Sequence, residues 1–139
     1  MAARDVTEHL ARIPLFSGCS KKELQSVARS IKQINHPAGT VIAREGDPGA
    51  GLFIIGEGEA DVTVGGKKVN RLGAGDSFGE MALLDGGPRT ATVTAATPVK
   101  IYALSEWAFR GLLADQPAIA MRTLEAMAER LREATMNTA

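Results

Sequence analysis

One cysteine and two histidines are all that the 139-residue chain offers in thiol or imidazole chemistry. A lone Cys19 closes no internal disulfide, which suits a reducing cytoplasm. A metal-dependent barrel enzyme needs His and Glu ligands clustered on adjacent strands. Here His9 precedes the strand-rich region, His36 stands at its edge, and no His-x-His pair exists. Neither histidine has an evident pairing with Cys19, so a thiol nucleophile is not indicated either. Excess charge is also missing. Sixteen basic residues offset sixteen acidic ones, which argues against a polyelectrolyte partner, because affinity for nucleic acid is mostly phosphate neutralisation. No apolar run approaches a membrane span. Met1 to Arg12 carries charges throughout, unlike a secretory signal. The expectation is a cytoplasmic chain with no membrane partner.

What is present is 45% apolar and 23% charged, the mix of a globular chain of one-domain size. Val6 to Ile13 predicts a short helix stopped by Pro14. Ser20-Lys21-Lys22-Glu23 is a capping-box pattern, followed by Leu24, Val27, Ala28 and Ile31 at helical spacing. Thirteen of the fifteen glycines then fall between Gly39 and Gly87 and punctuate short apolar runs. Strands are predicted over Thr40–Ala43, Leu52–Ile55, Ala60–Val64, Lys67–Leu72, Thr90–Ala95 and Val99–Leu104. Gly65-Gly66 suits a two-residue hairpin turn. Ser105-Glu106 caps a helix through Leu113, and Asp115-Gln116-Pro117 opens a longer one to about Ala134. Helices at about 5–31, strands at about 33–104 and helices at about 106–134 describe one α+β domain spanning 1–139.

Two charged residues stand out in an apolar setting, in Phe78-Gly79-Glu80-Met81-Ala82-Leu83-Leu84 and in Arg89-Thr90-Ala91. Arg89 is in phase with Ala91, Val93 and Ala95, so it points to the same inner face of its strand. A buried guanidinium needs a partner: either the Glu80 carboxylate or a bound anion. Gly79, before a short helical stretch from Glu80 to Leu83, lets a ligand approach free N–H groups, which attract phosphate. N–H donors plus the planar arginine fork describe a phosphate cradle. Glu80 would repel a phosphate but would accept hydrogen bonds from a hydroxyl on the same ligand. A sugar phosphate satisfies all three groups.

This cassette resembles the phosphate-binding cassette of cyclic nucleotide-binding domains, the family of the catabolite activator protein, kinase regulatory subunits and gated channels. Pro14-Leu15-Phe16-Ser17-Gly18, Glu45-Gly46-Asp47 and Gly73-Ala74-Gly75-Asp76 fit its flanking segments, so the likeness runs from about Ile13 to Arg132. It implies an antiparallel β-roll, jelly-roll-like, flanked by N-terminal helices and a C-terminal hinge or lid helix. It implies that Glu80 accepts from the ribose 2′-hydroxyl and that Arg89 pairs with the cyclic phosphate. Gly79, Met81 and Ala82, with Thr90 and Ala91, would complete the phosphate and base surroundings. Leu72 would line the base pocket.

The implied function is a non-catalytic sensor that binds a cyclic mononucleotide and uses no further cofactor. Thr90 is compatible with cyclic GMP as well as cyclic AMP, and cyclic AMP is favoured as the commoner bacterial ligand. The lid would draw on Leu124, Met127, Ala128, Arg130 and Leu131, whose stripe also suits packing on the roll or a homodimer seam. A degenerate, non-binding roll acting as an interaction module is the alternative. A DNA-binding use requires a helix-turn-helix after the long helix, and none follows within these residues, so contact with nucleic acid is not expected of this chain alone. The effector is not identified by the sequence.

Overall fold

A computed structural model of the chain describes residues 2–48, 51–79, 83 and 87–138. They fall into two compact units, Ile31–Phe109 and Met1–Ser30 with Arg110–Ala139.

The first unit holds eight strands in two antiparallel four-stranded sheets. β1 (Lys32–His36), β8 (Val99–Ser105), β3 (Gly51–Glu57) and β6 (Ser77–Phe78) lie in the order β1-β8-β3-β6. β2 (Val41–Ala43), β7 (Thr92–Ala95), β4 (Ala60–Val64) and β5 (Lys67–Leu72) lie in the order β2-β7-β4-β5. Neighbours in each sheet are mostly distant in sequence, which is the jelly-roll way of closing a double sheet. One core cluster draws Ile55, Val99 and Ile101 from the first sheet and Ala43, Ala60, Val93 and Ala95 from the second. Small alanines on one side facing larger residues on the other let two sheets pack without voids. Gly65 and Gly66, at φ 59° and 80°, make the β4–β5 turn, whose backbone excludes most residues with a Cβ.

Several strands match their predicted spans; others differ for physical reasons. β1 reads Lys-Gln-Ile-Asn-His and is almost wholly exposed, so no apolar alternation announces it. β6 has two residues, too few for a period. β7 begins at Thr92 rather than Thr90, because Thr90 and Ala91 lie in a bend after Arg89. Val93 and Ala95 are buried as expected, while Ala91 is half-buried outside the strand.

The second unit is helical. α1 (Ala2–Ala11) leads to a single 3-10 turn at Pro14–Phe16, where Leu15 and Phe16 are fully buried. α2 (Lys21–Arg29) carries the predicted capping box in full. Glu23 N–H donates to Ser20 Oγ at 3.2 Å, and Ser20 N–H donates to Glu23 Oε1 at 2.7 Å. That same bond, with Arg122 nearby, holds the Glu23 carboxyl below its usual range. α3 (Glu106–Asp115) begins behind Ser105, whose Oγ accepts from Ala108 N–H at 3.0 Å. Gln116 breaks the helical run before α4 (Pro117–Thr138), as a residue preceding proline resists the α conformation.

The buried side of α4 is not the stripe that its largest apolar residues suggest. Ile119, Thr123 and Ala126 are buried, whereas Met121, Leu124 and Leu131 are 56%, 63% and 69% exposed. Thr123 buries at little cost because its Oγ1 donates to Ile119 O at 3.0 Å within the helix.

Candidate functional site

Arg89 is fixed first through its backbone. Its N–H donates to Asp47 O at 2.8 Å, and its carbonyl accepts from Gly46 N–H at 2.9 Å. Pro48 and Pro88 form the adjoining bridge. The Glu45-Gly46-Asp47 loop is tied down in turn. Glu45 N–H donates to Thr92 Oγ1, and Glu45 Oε1 accepts from Gly65 N–H, both at 3.0 Å. The arginine thus leaves a braced loop just before β7 of one sheet, and its side chain reaches β3 of the other.

The guanidinium meets two neutral groups on β3. Nη2 donates to Gly51 O at 3.0 Å, and Cζ lies over the Phe53 ring, 5.2 Å from its centroid. Phe53 packs against Phe78 on β6, centroid to centroid 5.2 Å and tilted by 36°. Nη1 is buried and has no hydrogen-bond partner among the described residues. Burial pulls the Arg89 pKa below that of an ordinary guanidinium. A half-buried cation with an idle donor is an electrostatic deficit that a bound anion would relieve.

Gly79 closes the same corner. Its φ is +87°, and a Cβ there would collide with Arg89 Nη1 and with Gly51 O. The missing side chain lets the Gly79 main chain, the guanidinium and the β3 carbonyl share one small space. Beyond it, Leu83 N–H donates to Gly79 O at 3.1 Å, and the Leu83 side chain is buried. Glu80, Met81 and Ala82 lie outside the described residues. Of the other site residues, Thr90 is exposed beside Arg89, Ala91 is half-buried, and Leu72 ends β5 packed against the core cluster. On α4, Leu124, Ala128, Arg130 and Leu131 are exposed and Met127 is half-buried. Among the described residues no group of three His, Cys, Asp or Glu side chains is arranged to hold a metal, and no helix is long and apolar enough to cross a membrane.

Sequence reasoning found Arg89 and Gly79 and missed their supports, the Gly51 carbonyl and the Phe53 ring. A carbonyl has no sequence signature. Phe53 had one: it alternates with Gly51 and Ile55 on the same face of β3.

A family model for the cyclic nucleotide-binding domain matches residues 33–116. The chain belongs to the cyclic nucleotide-binding domain family. The match begins at the second residue of β1 and ends at Gln116, so it takes in the other seven strands and the Arg89 corner of this cyclic nucleotide-binding domain. The CRP-like cAMP-activated global transcriptional regulator of Mycobacterium tuberculosis is 31% identical over 137 residues, covering 95% of this chain and 61% of that protein. The chain therefore spans less than two thirds of that relative's length. Among solved structures, the N-terminal domain of a transcriptional regulator from Streptomyces coelicolor A3(2) matches with a TM-score of 0.85 at 32% identity, covering 91% of this chain and 94% of that one. A co-crystal structure of the regulatory domain of Toxoplasma gondii PKA with cAMP matches with a TM-score of 0.72 at 32% identity, covering 79% of this chain and 44% of that one.

Proposed function

We propose that this domain is a non-catalytic sensor that binds a cyclic mononucleotide, cyclic AMP before cyclic GMP, with residues 1–139 acting as one binding domain. The carrying observation is the buried Nη1 of Arg89, without a hydrogen-bond partner among the described residues, facing the Cβ-less main chain of Gly79. Arg89 takes the cyclic phosphate, with the Gly79, Met81 and Ala82 main chain around it. Glu80 accepts from the ribose 2′-hydroxyl. Thr90 and Ala91 border the phosphate and base, and Leu72 lines the base side. A mycobacterial relative is named cAMP-activated, and the Toxoplasma domain was crystallised with cAMP, which supports the adenine nucleotide. Thr90 stands where a hydroxyl would meet a guanine amino group, so cyclic GMP remains the competing ligand. Titration calorimetry with both nucleotides tests the assignment. No heat from either, or recovery of linear monophosphate after incubation, overturns it.

Signal output is assigned to α4. Ligand is proposed to rearrange the helix beyond Gln116, with Leu124, Met127, Ala128, Arg130 and Leu131 as its ligand-responsive side. Hydrogen exchange should slow along 117–134 and around 79–90 on adding nucleotide. Protection confined to 79–90 moves the switch elsewhere. The high exposure of Met121, Leu124 and Leu131 also favours a second use, a homodimer seam between two copies of α4. Sedimentation of Leu124→Glu with and without nucleotide separates the two. The chain is proposed to work in the cytoplasm, on an effector that its own residues do not name.

A further inference from the structure

We infer that Phe53 is a positioning residue for Arg89: its ring, braced by Phe78, supports the guanidinium from one side so that Nη1 faces the ligand phosphate. This rests on the assignment of Arg89 to the phosphate.

The geometry makes the division of labour plain. Arg89 leaves a loop clamped by Gly46 and Asp47, so its Cα has no freedom to follow a ligand. Its long side chain still has rotamers to choose from, and beside the Gly79 main chain it is the Gly51 carbonyl and the Phe53 face that restrict them. One hydrogen bond fixes a point; a ring face fixes a plane. Both supports are neutral. A carboxylate in either place would cancel the charge that the phosphate needs, whereas the negative face of an aromatic ring favours the cation without donating or accepting a proton. The ring itself cannot drift, because Phe53 stands opposite Phe78 in the β3–β6 pair and packs on the core cluster. The outcome is a charged fork held in advance of binding, which spares the ligand the ordering of that side chain.

Phe53→Leu keeps an apolar side chain on the same face but removes the ring; Phe53→Tyr keeps the ring. Cyclic AMP affinity by calorimetry should fall about 5- to 30-fold in Phe53→Leu, the span of a partly desolvated cation–ring contact, and stay near the parent value in Phe53→Tyr. In the unliganded protein, the Arg89 Nε–H resonance, assigned by its loss in Arg89→Leu, should carry an upfield ring-current shift that Phe53→Leu abolishes and Phe53→Tyr preserves. A ring that only fills space would cost stability in urea melts of Phe53→Leu while leaving cyclic AMP affinity at the parent value. That pattern, with Phe53→Leu binding within twofold of the parent, overturns the inference and leaves the Arg89 assignment standing. A parent protein that does not bind cyclic AMP overturns the assignment itself, and the inference with it.

Discussion

Gly79→Ala tests the corner at its tightest point. At φ +87° a residue with a Cβ carries about 1–3 kcal/mol of backbone strain. The added methyl also collides with Arg89 Nη1 and with the Gly51 carbonyl oxygen. The guanidinium can swing away, but the carbonyl belongs to a central strand of its sheet, so overpacking adds about 1–3 kcal/mol. Gly39→Ala supplies the control. Its φ is +90°, and a Cβ there would meet nothing within 4 Å. It carries the strain without the collision. The difference between the two variants therefore isolates the steric part, about 1–3 kcal/mol, read in urea melts of the unliganded protein. In a chain of this size each kcal/mol moves the melting temperature by about 3–4 °C. Binding should separate them further. Gly39→Ala should bind cyclic AMP as the parent does, while Gly79→Ala pushes Nη1 into the space for the phosphate and should lose about 30-fold or more. If Gly79→Ala melts with Gly39→Ala and binds as tightly as the parent, the corner is not built as described.

Arg89→Leu should weaken cyclic AMP binding about 30- to 5,000-fold, by about 2–5 kcal/mol, yet leave the unliganded melt unchanged or higher, because a partly desolvated cation with an idle donor is removed; Glu80→Gln should lose less, about 1.5–3 kcal/mol for one charged hydrogen bond. Ser20→Ala breaks the capping box and should lower stability by about 1 kcal/mol in thermal melts without touching affinity. Burial, and secondarily Glu23, push the Cys19 thiol up. The folded thiol thus holds its proton more tightly than the unfolded one, so stability is full below the unfolded thiol pKa and declines as pH rises through the raised folded value. At pH 8 the native thiol should react more slowly with Ellman's reagent than the urea-unfolded chain does, and equal rates would refute the shielding.

Local chemistry was legible wherever the residues that make a feature are neighbours in the chain. The Ser20–Glu23 box, the Gly65-Gly66 turn, the Ser105 cap and the break before Pro117 each need only a few consecutive residues, and each formed as the pattern predicts. The buried face of α4 was not legible. Ile119, Thr123 and Ala126 and the competing stripe of Met121, Leu124, Ala128 and Leu131 both recur at helical spacing, and the competing stripe holds the larger side chains. Burial chose the smaller set, which includes a threonine that spends its hydroxyl inside the helix. Apolar bulk alone therefore did not identify the face that this helix buries.

At the Arg89 corner the division between what was read and what was missed follows the same physics. An arginine at the mouth of an apolar strand calls for a charged partner, so the pattern of the sequence exposes it. Its supports are ordinary: a carbonyl and a phenylalanine 38 and 36 positions away in the chain. They nonetheless come from one short piece of sequence. Gly46 and Asp47 clamp the Arg89 main chain, and Gly51 and Phe53, a few residues on, hold its side chain. The Glu45–Asp47 loop and the start of β3 therefore act as a single jig for one cation. Every contact that the jig makes with Arg89 is neutral, made by amides, carbonyls and a ring. It holds the guanidinium without discharging it, and Nη1, buried with no hydrogen-bond partner among the described residues, lies against Gly79.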